Sequence, residues 1–471
     1  MNKNKLEHFI RETWDEDIIP ALIDYIKIPC KSQLFDKDWK AHGFIDEAMN
    51  LLQQWAKKHS AQDMRIEVIR LNGLSPLLFI AIPGSIDETV LLYGHMDKQP
   101  EMTGWHEGLG PWTPVIKDGK LYGRGGADDG YALFASLTAI RALQEQGLPH
   151  ARCVIIIESA EESHSEGLVD YIEHLKTRIG NPNFIICLDS GCGNYEQLWS
   201  TTSLRGAFTG VLSIDILKEG IHSGAGSGAV ASSFRILRQL LSRIEDETTG
   251  KILVDECETN IPEQRLTQIT DTANILGVEL INALPLMEGA LPMADSPAQL
   301  LLQKTWMPTL SVTGIEGIPP LNNSGNVLRP FTRVKLSFRL PPTCDAKKAE
   351  QAIKQCLEKN PPYGAKVSFT PDGEPGAGWN APALAPWLEQ ASENASQAFF
   401  SKPAAYIGEG GTIPFMGMLG KKFPKAQFLI AGVLGPKSNA HGPNEFLHIE
   451  FAKKLTCCVS AILSEHAVNC G

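Results

Sequence analysis

The sequence predicts an α/β fold, a mostly parallel sheet interrupted by an inserted α+β domain. Three observations predict it. First, the apolar runs at 89–93, 152–158 and 184–188 do not alternate with polar residues, as expected of strands buried on both faces. Second, the connections between these runs are helical or long, which is the rhythm of βαβ units. Third, the character changes near residue 204. Val211–Ile216 and Val334–Leu340 alternate apolar and polar residues, as strands with one wet face do.

The chain has 471 residues, 43% hydrophobic and 21% charged, enough for two or more domains with a large core. A net charge of −11 leaves no basic footprint and argues against a nucleic-acid partner. The polar start Met1–Lys5 lacks the apolar core of a signal peptide, and no apolar run reaches the roughly 18 residues of a membrane span. Ten scattered cysteines without a Cys-x-x-Cys spacing fit reduced thiols. The expected location is therefore the cytoplasm, with no membrane partner.

In chain order, residues 5–27 read as a helix that Pro20 breaks or kinks, and 44–58 as another, with Ile45, Met49, Leu52 and Trp55 on one face. Strands follow at 64–70, 77–83 and 89–93. The last delivers Gly94, His95 and Asp97 at its carboxyl end, where open α/β sheets bind ligands. Residues 115–124 read as a hairpin turning at Asp118-Gly119. The glycine-rich stretch 123–130 matches neither nucleotide-binding motif, and its carboxylates would repel phosphate. It reads instead as a sharp turn presenting Asp128, with Asp128 or Asp129 also suited to cap the helix at 130–146.

The strand at 152–158 leads to Glu161 and Glu162, before a helix at 166–179, and the strand at 184–188 ends in Asp189. One sheet edge thus collects His95, Asp97, Asp128, Glu161, Glu162 and Asp189. So many anions stay ionised together only around cations. Residues 204–381 read as the inserted domain, with helices at 229–245 and 346–359 and a loop-heavy middle at 250–330. A helix at 386–400, a strand at 427–433 and a helix from 449 complete the first domain, 1–203 and 382–471. His441, shortly after the strand, adds a second imidazole.

The segments Tyr93-Gly-His-Met-Asp97, Asp118-Gly-Lys-Leu-Tyr-Gly-Arg-Gly125, Asp128-Asp129, Glu161-Glu162, Gly220-Ile-His-Ser-Gly224, Gly410-Gly-Thr-Ile-Pro414 and Asn439-Ala-His-Gly-Pro443 stand in this order. In that order the chain resembles the dinuclear zinc exopeptidases, a family that includes aminoacylase, glutamate carboxypeptidase and succinyl-diaminopimelate desuccinylase. It lies nearest the carnosinase or cytosolic nonspecific dipeptidase branch. The resemblance implies a zinc-exopeptidase catalytic domain with a lid and dimerisation domain inserted at 204–381, a homodimer, and two divalent ions, zinc foremost, with manganese or cobalt as alternatives.

By position, the resemblance gives His95 and Asp189 to one ion and Glu162 and His441 to the other. Asp128 would bridge both, with a cis peptide to Asp129. Glu161 would be the general base, Asp97 would orient His95, and His222 would stabilise the oxyanion from the partner subunit. Arg339 would grip the substrate carboxylate, with Asn326 and Thr412 near the substrate. Two ions about 3.5–4 Å apart can hold one hydroxide and polarise an amide carbonyl. The implied activity is hydrolysis of a small peptide or amide bond. The alternatives are an N-acyl-amino-acid deacylase and an inactive metal-binding homologue. Lys98, Gly130 and the Trp105-His106-Glu107 loop depart from the family pattern.

Overall fold

The computed structural model describes residues 1–411 and 414–470. The chain divides into two compact units. One comprises Met1–Thr201, Ala381–Ile407 and Met418–Gly471, and the other Thr202–Asn380 and Gly408–Gly417.

The first unit is built on a six-stranded sheet, in the order Arg65–Ile69, Leu77–Ile82, Ala151–Glu158, Ile86–His95, Phe184–Cys187, Gln427–Ile430. The last four strands run parallel, and the first two are antiparallel additions at one edge. Val90–Tyr93 is buried on both faces, which is why its apolar run does not alternate. Gly94 has no room for a side chain, since a Cβ there would lie 2.5 Å from Ala132 Cβ and 2.6 Å from Asp129 Oδ2. The α/β class expected from the sequence is borne out.

Pro20 does not break the N-terminal helix. A wider π turn over Trp14–Ile18 precedes it, with the Ile19 amide reaching back to the Trp14 carbonyl, and the helix Ile19–Lys27 resumes with Pro20 in its first turn. The hairpin turn is as expected, with Asp118 at φ 51° and Gly119 at φ 71° joining Val115–Lys117 to Lys120–Tyr122. The helix expected at 166–179 is divided into Leu168–His174 and Lys176–Ile179.

The second unit carries a four-stranded antiparallel sheet, in the order Thr309–Glu316, Phe331–Leu340, Gly206–Asp215, Lys366–Pro371. Val334, Leu336 and Phe338 face a core shared with Ile236, Leu240, Ile353 and Leu357 from the helices Ser233–Leu241 and Ala346–Glu358. The loop-heavy reading of 250–330 is corrected, because the stretch holds the helices Glu263–Leu276 and Pro297–Trp306 and the edge strand Thr309–Glu316. Its prolines act as helix starts. Pro262 caps one helix, and Pro297 opens the other behind Ser296, whose hydroxyl accepts the Gln299 amide.

Candidate metal centre

The centre lies wholly in the first unit, at the carboxyl ends of its parallel strands. His95 closes the strand Ile86–His95 and is buried. Its Nδ1 lies 3.0 Å from the carbonyl oxygen of Asp97. A carbonyl only accepts, so Nδ1 carries the hydrogen and Nε2 is left to face Asp128. His95 Nε2 is 3.2 Å from Asp128 Oδ1 and 3.8 Å from Asp189 Oδ2. His441 Nε2 is 3.0 Å from Asp128 Oδ2 and 3.4 Å from Glu162 Oε1. Asp128 therefore offers one oxygen to each imidazole. The Asp128–Asp129 peptide is cis.

Asp97 is fully buried and organises the turn that carries the paired glutamates. Its two oxygens accept the backbone amides of Glu161 at 3.1 Å and Glu162 at 3.0 Å, and Oδ1 lies 3.4 Å from His95 Nδ1. One carboxylate thus ties the strand end at 95 to the turn at 161–163. Asp129, beneath His95, accepts the His95 amide at 3.2 Å.

The electrostatics follow from crowding anions in a buried place. Burial, then Asp189, push the Glu161 carboxyl well above its usual range, while burial and Asp128 do the same for Glu162. Burial raises Asp189 to about 6. At Asp128 burial acts upward, but the hydrogen bonds to His441 and His95 outweigh it and hold the carboxyl below its usual range. At His95 burial acts downward, and Asp189, Asp128 and Asp97 together raise the imidazole well above its usual range. His441 is raised as well, its burial outweighed by Asp128.

This donor set fits divalent cations. With Nδ1 committed to Asp97, His95 Nε2 meets a carboxylate oxygen through either a proton or a metal. The ligand atoms of His95, Glu161 and Asp189 lie within 4.8 Å of one another, as do those of His95, Asp128 and Glu162.

Two neighbours escaped sequence reasoning. The Gln99 side-chain amide donates to Glu162 Oε2, and the Tyr93 hydroxyl donates to Glu158 Oε1. Glu158 had a visible signal, as a carboxylate closing an apolar strand; burial raises it to about 8. Gln99 had none. Lys98, a departure from the family pattern, is buried and donates from Nζ to the carbonyls of Tyr25 and Ile28 at 2.8 Å each and of Ile26 at 3.4 Å. It caps the end of the helix Ile19–Lys27. Gly130 is accounted for by Tyr25, whose ring carbon would lie 2.2 Å from a Cβ there.

The other expected residues are not in this cluster. His222, Asn326 and Arg339 belong to the second unit. His222 pairs with Val327, and its Nδ1 accepts the Gly224 amide at 3.1 Å; the next amide, of Ser223, donates to the Asn326 carbonyl at 2.9 Å. Arg339 sits on the strand Phe331–Leu340 between Thr309 and Ala207, on the face opposite the core. Thr412 lies outside the described residues.

One imidazole at a strand end, a second on a loop and the carboxylates between them make a candidate metal centre at one edge of an α/β sheet. The chain belongs to peptidase family M20/M25/M40, whose profile it matches over residues 91–465. It is similar to the cysteinylglycine-S-conjugate dipeptidase of Corynebacterium striatum, 26% identical over 378 residues, which cover 78% of this chain and 79% of that protein. It is also similar to the beta-Ala-His dipeptidase of Homo sapiens, 27% identical over 358 residues, covering 73% and 68% of the two chains. In fold it is similar to the di-peptidase Dug1p from Saccharomyces cerevisiae, with a TM-score of 0.78, 22% identity and 99% of each chain covered. Human carnosine dipeptidase 1 gives a TM-score of 0.75 at 21% identity, again covering 99% of each chain. The resemblance to the dipeptidase branch is borne out.

Proposed function

We propose that the chain is a cytoplasmic dinuclear zinc dipeptidase. The observation that carries the reading is Asp128, with its two oxygens 3.2 Å from His95 Nε2 and 3.0 Å from His441 Nε2. His95, Asp128 and Asp189 would hold one ion, and Asp128, Glu162 and His441 the other. When bound, such ions polarise a scissile carbonyl and lower the pKa of water. Glu161 acts as the general base. Its backbone is pinned by Asp97, and its carboxylate takes the proton of the attacking water and returns it to the leaving amine. Asp97 holds the His95 tautomer that leaves Nε2 free.

Residues 1–203 and 382–471 form the catalytic domain of this proposal, and 204–381 its lid and dimerisation domain. The homodimer is supported by the edge strand Thr309–Glu316, where Val312 is 51% and Ile315 50% exposed, since an open apolar edge favours pairing with another chain. His222 would stabilise the oxyanion in the partner's site, and Arg339, Asn326 and Thr412 would hold the substrate, with Arg339 on its terminal carboxylate. The names of the relatives support dipeptides as substrates. Ten free thiols support a reducing compartment.

The test is a panel of dipeptides and N-acetyl and N-succinyl amino acids, run on dialysed and zinc-reloaded protein. Cleavage of dipeptides by the reloaded protein alone is the expected result. Cleavage confined to the acyl amino acids would make the chain a deacylase, and no turnover on either set would make it an inactive homologue.

A further inference from the structure

The two imidazoles of the centre are held in different ways. His95 ends a buried strand and is fixed by packing. His441 has a side chain 54% exposed, on a loop where Lys437, Asn439, His441 and Asn444 all have positive φ. Such a backbone persists only where its surroundings hold it. The His106 amide, which donates to Asn444 Oδ1 at 2.8 Å, holds one end of it, and Arg124, which is fully enclosed and pairs with the fully enclosed Glu445, holds the part next to His441.

The Arg124 guanidinium donates to Glu445 Oε2 at 2.6 Å, to the Gly442 carbonyl at 2.7 Å and to the Pro100 carbonyl at 3.2 Å. Glu445 Oε1 accepts the Gly125 amide at 2.9 Å, and the Glu445 carbonyl accepts the Gly123 amide at 3.0 Å. Pro100 follows His95 and Asp97, Arg124 precedes Asp128, and Gly442 adjoins His441. A single planar fork therefore spans the three loops that carry His95, Asp128 and His441. Lysine, with one point of charge, cannot reproduce this geometry.

We infer that Arg124, locked by Glu445, is a positioning residue that fixes the His441 loop against the His95 and Asp128 loops, and thereby sets the affinity of the ion that His441 holds. The inference rests on the two-ion reading given above. Its mark is asymmetry. Loss of the clamp weakens the His441 ion and spares the His95 ion, which packing already defines.

The experiment is zinc titration of the apoprotein against a chromophoric chelator, with the melting temperature of each apoprotein measured alongside. For R124K, one of two zinc ions should bind about 10–100-fold more weakly and the other unchanged. In R124M/E445Q both buried charges are gone and the side-chain oxygen at 445 can still accept the Gly125 amide, so the apoprotein should melt closer to the parent than R124M does, while the same ion remains weakened. Two ions bound at parental affinity in either variant would overturn the inference. So would equal weakening of both ions, or weakening that merely follows a lowered apoprotein melting temperature. A parent that takes up no zinc would refute the metal-site reading itself, a failure distinguishable from that of the clamp.

Discussion

His95 and His441 face opposite oxygens of one carboxylate, at 3.2 Å from Asp128 Oδ1 and 3.0 Å from Asp128 Oδ2. The residues stand on a strand end and a distant loop, so only the tertiary fold brings them together. Asp189 and Glu162 then flank the two imidazoles on either side, at 3.8 Å and 3.4 Å. This arrangement is what the following expectations probe.

Replacing Glu161 by Gln removes the base and leaves the proposed ligands untouched. E161Q should lose at least about 100-fold in kcat, within the usual contribution of a general base, while zinc content stays at the parental value. Steady-state kinetics with elemental analysis check this, and an active E161Q removes Glu161 from the base role.

Asp97 accepts two backbone amides and contacts the His95 ring, so an amide in its place loses an acceptor on one side. D97N should bind zinc about 10–100-fold more weakly, because groups behind a metal ligand fix its orientation. Chelator competition measures this; parental affinity would show that the His95 orientation is set elsewhere.

Lys98 satisfies three carbonyls at the end of the helix Ile19–Lys27. K98M leaves them without that donor and should lower the unfolding free energy by about 1–3 kcal/mol. A shift of the urea midpoint reads it. No shift would mean that those carbonyls find other donors.

His466 is fully buried, with Nε2 3.0 Å from Asn183 Oδ1 and its ring stacked on Phe184. Burial lowers its pKa to about 4. The folded state therefore favours the neutral ring. The stabilisation is complete above the unfolded pKa of about 6.5 and is lost as pH falls from there through about 4, at most about 3 kcal/mol. H466Q should flatten the unfolding free energy over that window relative to the parent. Parallel curves would contradict the assignment.

Much of this was legible in the chain. The apolar runs ending at His95, near Glu161 and at Asp189 announce both a buried parallel sheet and polar groups at one of its edges, because a strand end is where an apolar run must stop. The alternation of Val334, Leu336, Phe338 and Leu340 announces the second unit in the same way. The helices at 263–276 and 297–306 were hidden because proline reads as a breaker, although it is equally at home at a helix start. Gln99, Arg124 and Glu445 were hidden for a different reason. Gln99 lies 63 residues from Glu162 and Arg124 lies 321 from Glu445, and no local period records a contact made across the fold.

The most direct measurement is anomalous diffraction at the zinc edge from crystals grown with zinc. Two peaks are expected, one among His95, Asp128 and Asp189 and the other among Asp128, Glu162 and His441. Zinc absent from Asp128, or bound there without His441, would contradict the two-ion centre.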